Sequence, residues 1–254
     1  MQDNKMLNYI KEVLENMPTG WLNLTTHRLD IYDENLAKIQ FLDQFEALYN
    51  DNNSEPSALN ELSTAYDYIR LGHPLSCVLE WAIANLNNTK AENVISFSSK
   101  TTPILAILRK NLLANRNTQI IYAGAIPDFF NAKVIKDVYG YNFELKQVDK
   151  AADILAFDGS NVFISQQGEI CNFDTNENID FLLNVHTHFG SVLLVNGEAN
   201  ESYISEIQHV RRRETIAMTP INSFTVLKEL VDPSSGATHT TTVELDKAAT
   251  IASI

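Results

Sequence analysis

Apolar residues at three- and four-residue spacing dominate the first third of the chain. Met6, Leu7, Ile10, Val13, Leu14 and Met17 predict an amphipathic helix over Lys5–Met17, stopped by Pro18-Thr19-Gly20. Leu36, Ile39, Phe41, Leu42, Phe45 and Leu48 predict a second helix from about Asp33 to Tyr49, ended by Asn50-Asp51-Asn52-Asn53. Ser54 then reads as an N-cap with Pro56 in the first turn, and Leu59, Leu62, Ala65, Tyr66 and Ile69 carry the period to Gly72. Pro74–Leu86 makes a fourth helix. No strand signal of note interrupts residues 1–90.

From Asn93 the pattern changes to short apolar runs separated by helix-like stretches. Val94–Phe97 and Gln119–Tyr122 read as strands, as do Phe143–Val148, Asp153–Phe157, Val162–Ile164 and Ser191–Val195. Thr101–Ala114, Pro127–Val138, Asn178–His188, Glu201–Arg212 and Pro220–Leu230 read as helices. Buried strands alternating with crossover helices predict an α/β fold: a helical N-terminal layer (1–90), then a Rossmann-like domain (91–254) whose mostly parallel sheet has helices on both faces. The tail Ser234–Val243, rich in small and β-branched residues, reads as a late edge strand or a phosphate-facing loop.

Composition narrows the function classes. Of 254 residues 44% are hydrophobic, which excludes a disordered chain. The 32 acids against 19 bases argue against nucleic acid or an anionic membrane as a partner, since both are held by clustered Lys and Arg. The acid excess is concentrated at the front, where residues 1–90 hold 13 acids and 6 bases. Cys77 and Cys171 form no CxxC or His-Cys cluster, so neither a disulfide framework nor a zinc site is indicated. With no apolar signal core at the N-terminus and no membrane-length apolar run, a cytoplasmic protein is expected.

In an open parallel sheet, ligands bind beyond the carboxyl ends of the strands. That rule nominates Ser98-Ser99-Lys100-Thr101-Thr102, where hydroxyls, backbone N–H groups, a helix start and an ammonium converge as an anion requires. A plain helix cap needs the same residues. It also nominates Gly124, which permits close approach of a ligand, Asp158 as a general base or ribose acceptor, and Glu198 after the last strand. His186 and His188, two apart on an expected helix, cannot chelate one metal. Arg211-Arg212-Arg213 complements a helix C-terminus. The short signatures GxSxG, HExxH, GxGxxG and CxxC are absent.

Two family resemblances follow from the loops. Gly72–Ile83, Val94–Ser99, Ala152–Ser160, Gln167–Asn172, Val192–Glu198 and Met218-Thr219-Pro220 resemble segments of the translation initiation factor 2B regulatory subunits and methylthioribose-1-phosphate isomerases, across roughly residues 66–230. That resemblance implies a self-associating protein that binds a sugar phosphate or nucleotide through Ser98, Ser99, Lys100, Thr101, Gly124, Asn172 and Glu198, with no cofactor. Ser98 stands where those isomerases have a cysteine and Ser160 where they have an aspartate. A non-catalytic binding role is therefore the first expectation, and ribose-phosphate isomerisation with Asp158 as proton shuttle the alternative.

The second resemblance lies in Tyr66-x-Tyr68-x-Arg70-Leu71-Gly72-His73-Pro74, Leu79-Glu80 and the Ser98-Ser99 turn, which look like pyridoxal-phosphate enzymes of cysteine and methionine metabolism. Those enzymes need a late-strand Asp and a Schiff-base lysine. Here the strand ends in Asn196 and the next lysine is Lys228, which argues against an active aldimine enzyme. The remaining class is an interaction module that docks a partner on its acidic front.

Overall fold

The computed structural model describes residues 2–23, 34–63, 70–166 and 170–233. The tail 234–254, Tyr66 and Tyr68, and Gln167-Gly168-Glu169 lie outside the described residues. Four helices come first: α1 (Gln2–Asn16), α2 (Glu34–Asn50), α3 (Pro56–Glu61) and α4 (Pro74–Leu86). Then follow β1 (Val94–Phe97), α5 (Thr102–Leu113), β2 (Thr118–Ala123), α6 (Ala132–Tyr139), β3 (Glu144–Val148), β4 (Ser160–Ser165), β5 (Phe181–His186), β6 (Gly190–Val195), α7 (Ser202–Glu214) and α8 (Pro220–Val231).

The six strands form one sheet in the order β1-β6-β5-β4-β2-β3, with β2, β3, β4 and β5 parallel. β6 is antiparallel to both β5 and β1, so five strands point one way and β6 alone points back. This is the expected α/β architecture with helices on both faces. Alternate strand residues feed two cores. Val94, Ile121, Phe163, Leu182 and Leu194 join the helical front and α8, whereas Ile95, Ile120, Ile164, Leu183 and Leu193 join α5, α6 and α7. On the first face Tyr9, Phe45, Tyr49 and Trp81 meet edge-to-face at 5.1–5.7 Å, tying α1 and α2 to α4.

Local chemistry moves several boundaries. Asn178–His188 is not helical: Phe181–His186 is strand β5, a continuous apolar run because both its faces are buried. Asp153–Phe157 is not a strand. The carbonyls of Ala151 and Ile154 accept from the side chains of Asn176 and Asn178 at 3.1–3.2 Å, which occupies backbone groups that a ladder needs. The next strand, expected at Val162–Ile164, is β4 and starts slightly earlier, at Ser160. α6 begins at Ala132 with Asn131 as its cap, not at Pro127, and Glu55 rather than Ser54 precedes α3, the Ser54 hydroxyl donating to Glu12.

Strand β1 ends the sheet, and its free side is closed by three buried charges from distant parts of the chain. Glu80 on α4 is fully buried and lies 2.5 Å from Lys38 of α2 and 3.0 Å from Arg211 of α7. Glu80 Oε1 accepts from both the backbone N–H and the hydroxyl of Ser96, at 2.8 and 2.7 Å. Arg211 donates to the carbonyls of Ser96 (3.0 Å) and Leu71 (2.6 Å), and Lys38 to those of Ala91 (2.7 Å) and Val94 (3.0 Å). The triad thus satisfies outward-facing polar groups of an edge strand. Burial pushes the Glu80 carboxyl up, but Lys38 and Arg211 outweigh it and hold the group below the usual carboxylate range. Arg211, expected at a solvated helix end, is 3% exposed.

At the start of α4, His73 and Ser76 form a reciprocal cap: Ser76 N donates to His73 Nδ1 and His73 N donates to Ser76 Oγ. Since Nδ1 accepts, the ring proton sits on Nε2, which donates to the Met218 carbonyl at 2.7 Å. Burial lowers the His73 pKa from 6.5 to about 4.

Glu80→Gln leaves two buried cations without their carboxylate and is expected to cost about 3–5 kcal/mol in urea unfolding, with Lys38→Met costing less because Arg211 still neutralises Glu80. The His73 contribution has a defined pH window. An unfolded imidazole binds its proton near pH 6.5 and the folded one only near 4, so stability is complete above that range and falls as pH drops through it, by roughly 3 kcal/mol at most. His73→Asn keeps a cap acceptor but does not titrate, and its stability profile between pH 6.5 and 4.5 should be flatter than the parent's.

Candidate functional site

The carboxyl ends of the five co-directional strands, together with the start of β6, gather the start of α5, the Gly124 loop and the β5–β6 hairpin at one edge of the sheet. Ser99 Oγ accepts from Thr101 N (3.3 Å), Thr102 N (3.1 Å) and the Thr102 hydroxyl (2.8 Å), so it caps α5. Ser98 N donates to the Ile216 carbonyl, and the Ser191 hydroxyl to the Ser99 carbonyl at 2.7 Å. Lys100 Nζ donates to the Thr187 carbonyl in the hairpin at 2.8 Å. The close passage of these segments requires glycine at position 190: its φ is +110°, and a Cβ there would lie 2.2 Å from the Phe97 carbonyl oxygen.

Beside the hairpin lies a cavity of about 310 Å³, between the 170–172 segment and α8. Its walls are mainly apolar, with Ile170, Phe189, Val226 and Leu230 prominent, and its polar contributors are Cys171, Asn172, His186 and Glu229. That mixture suits a small organic ligand. The 170–173 segment is pinned by two amides. Asn184, 2% exposed on β5, donates to the carbonyls of Ile170 (3.4 Å) and Asn172 (2.6 Å), and Asn87 joins the Cys171 carbonyl to Phe173 N. His186 Nδ1 accepts from the backbone N–H groups of His188 and Phe189 at 3.1 and 3.3 Å, which places its ring proton on Nε2 as a donor. The ring stacks on Phe189 with centroids 4.2 Å apart. His186 therefore belongs to a hairpin turn and not to a helix.

The residues nominated from the sequence divide between opposite edges. Ser98, Ser99, Lys100, Thr101, Gly124 and Asn172 lie at the carboxyl edge, and Asn172 alone among them lines the cavity. Gly124 has a φ of +71°, and its carbonyl accepts from Gln147 at 2.6 Å. Asp158 and Glu198 lie at the amino edge. Asp158 precedes β4, since the strand begins at Ser160, and Glu198 follows β6, which runs backwards. These two cannot meet a ligand held by Lys100. The amino edge has a groove of about 380 Å³, but its cation, Arg116, is committed to Asn200, Tyr203, Asp180 and the Gly159 carbonyl, a structural clasp.

Sequence reasoning weighs His186 only as a metal ligand, because the helix expected over 178–188 hides the hairpin, and does not single out Glu229 on α8. It also missed the Lys38–Glu80–Arg211 triad, for which one signal existed: Glu80 is the lone charge between Leu75 and Ile83. Among the described residues no group of three His, Cys, Asp or Glu side chains is placed to hold a metal ion, and no helix is long and apolar enough to cross a membrane.

No family model matches the sequence, and no curated protein does. Solved structures do. Cystathionine gamma synthase from Xanthomonas oryzae pv. oryzae, in complex with cystathionine, matches over 89% of this chain and 64% of its own, at 11% identity and a TM-score of 0.51. The metB protein of Corynebacterium glutamicum matches over the same shares at 11% identity and a TM-score of 0.47. The chain thus spans less than two thirds of the length of either. This finding overturns the resemblance to initiation factor 2B subunits and methylthioribose-1-phosphate isomerases, and with it the isomerase expectation. The geometry agrees: Ser160, which stands where those isomerases have an aspartate, is buried at the start of β4 beside Asn111, on the edge opposite Ser98. The chain shares the fold of cystathionine gamma synthase.

Proposed function

We propose that this chain is a small-molecule binding protein on the cystathionine gamma synthase fold, without aldimine chemistry. The cavity beside the β5–β6 hairpin carries the reading. It lies at the carboxyl edge, where an open α/β sheet presents loops to ligands, and it combines apolar walls with a few fixed polar groups. The resemblance of Arg70–Pro74 and Leu79-Glu80 to pyridoxal-phosphate enzymes agrees with this fold and raises the question of the cofactor. The residues present do not fit it. None of the described lining residues is a lysine, Lys100 is held by the Thr187 carbonyl, and Lys228 on α8 sits over the Phe224 ring beside a different hollow. The buried polar residue of β5 is Asn184, a neutral amide spent on the 170–172 segment, and cannot supply the carboxylate that a protonated pyridine nitrogen needs.

A phosphorylated ligand remains our choice of chemical class. Lys100 uses one of its three donors on the Thr187 carbonyl, so its ammonium stands on the hairpin that borders the cavity. An anionic head with a compact organic body matches an ammonium beside that cavity. The ammonium carries most of the anion's attraction, since Ser99 already takes the N–H groups of Thr101 and Thr102.

A thermal-shift screen of pentose phosphates, nucleoside monophosphates and pyridoxal phosphate tests this. Saturation with a true ligand should raise Tm by about 5 °C or more, and Lys100→Ala and Asn172→Ala should each reduce the shift. If none of the three classes moves Tm, the binding reading fails. If pyridoxal phosphate forms an adduct that borohydride traps on a lysine, the exclusion of aldimine chemistry fails.

A further inference from the structure

The two edges of the sheet differ. β1 is sealed by charged side chains, whereas β3 pairs with β2 alone and its other side is open among the described residues. An open edge is a template for another strand. Its neighbour α6 leaves an apolar flank uncovered: of its apolar side chains Ile135 is buried, while Val134 and Val138 are 45% and 71% exposed. On a helical projection Val134 and Val138 lie about 60–100° to one side of Ile135, and Tyr139 about 40° to the other. Tyr139 stacks on Tyr141 and lines a hollow with Leu105 and Arg109 of α5. The valine flank therefore faces away from α5, past the open edge. Leu145 of β3 is also 40% exposed, on the strand face that α6 covers, since the adjacent alternate residue Phe143 belongs to the same core as Ile135.

The charges on this edge select the occupant. Glu144 and Lys146 stand one residue either side of Leu145. When β3 pairs antiparallel with another β3 about a two-fold axis at Leu145, each Glu144 comes opposite the partner's Lys146 and the leucines meet at the centre. The sequence around Leu145 is thus complementary to itself. The same axis brings the exposed Val134 and Val138 of two α6 helices to the same side of the shared sheet.

We propose that β3 and α6 form a homodimer interface, in which two sheets join edge to edge through β3 with Glu144 facing Lys146 across the axis. This rests on the open edge and its charge pattern and is independent of the ligand reading. Sedimentation equilibrium of the full chain should show a dimer. Lys146→Glu places like charges opposite each other twice and should raise the dimer dissociation constant about tenfold or more, Val138→Glu should weaken it as well, and the swap Glu144→Lys with Lys146→Glu should restore it. Circular dichroism and Tm establish that each variant is folded. A chain that stays monomeric at all concentrations overturns the proposal, as does a dimer indifferent to Lys146→Glu or a folded swap variant that does not reassociate.

Discussion

The arrangement depends on one buried cluster of unlike charges. Glu80, Lys38 and Arg211 come from three helices far apart in sequence, and together they satisfy backbone groups of β1 from Val94 to Ser96 that face away from β6. Burying such a cluster costs desolvation of three charges, so it gains little over an apolar packing of the same shape. Its effect is on uniqueness. Any slip of α2, α4 or α7 relative to β1 leaves a charge unpaired in a dry interior, which is far more costly than a misplaced leucine.

The same cluster makes the sheet asymmetric. With β1 closed by side chains, the chain continues directly from it into α5, and Ser98 ties that junction to the segment before α8. His73 ties the start of α4 to the same segment through Met218. Thus one strip, Thr215–Thr219, connects the charged seal, the cap of α4, the start of α5 and the helix that walls the cavity. Among the described residues the other edge has no such seal, and its polar side chains Glu144 and Lys146 remain near solvent. Closure at one end and exposure at the other is a property of residue placement, not of strand order.

Much of this was legible in the sequence. Helical period in α1 and α2 and the short apolar runs of β1, β2, β4 and β6 announce a helical front and an α/β sheet, because half-exposed helices keep a strong three-to-four pattern; α4 is buried from Pro74 to Ala84 and is marked by its proline start instead. What failed was local. Leu182, Leu183 and Val185 lie on a strand buried on both faces, where alternation disappears and a helix template fits equally well. Asp153–Phe157 has strand-like residues, yet Asn176 and Asn178, some twenty positions away, both donate to its Ile154 carbonyl. The strand-end rule holds for Asp158 only if a strand ends beside it, and for Glu198 only if β6 runs with the other strands, whereas β4 begins at Ser160 and β6 runs backwards. Direction is a tertiary fact. Glu198 lies at the amino edge because β6 is reversed, and Asp158 because it precedes β4, while the loop after β1 depends only on its own strand and lies at the carboxyl edge.

The partition of residues also separates the part of the chain that holds the fold from the part that lines the cavity. The groups that fix the backbone, Glu80 with its two cations, His73 with Ser76, buried Asn184 and half-buried Asn87, point at protein backbone or at one another. The cavity is lined by other polar side chains, His186, Glu229 and Asn172. Changing a side chain that faces a cavity alters little of the packing, whereas changing one that holds a strand edge leaves a buried charge unpaired. Asn184 on β5 and a cavity without a lysine among its described lining residues are then compatible with this sheet, whose architecture is held by the edge of β1.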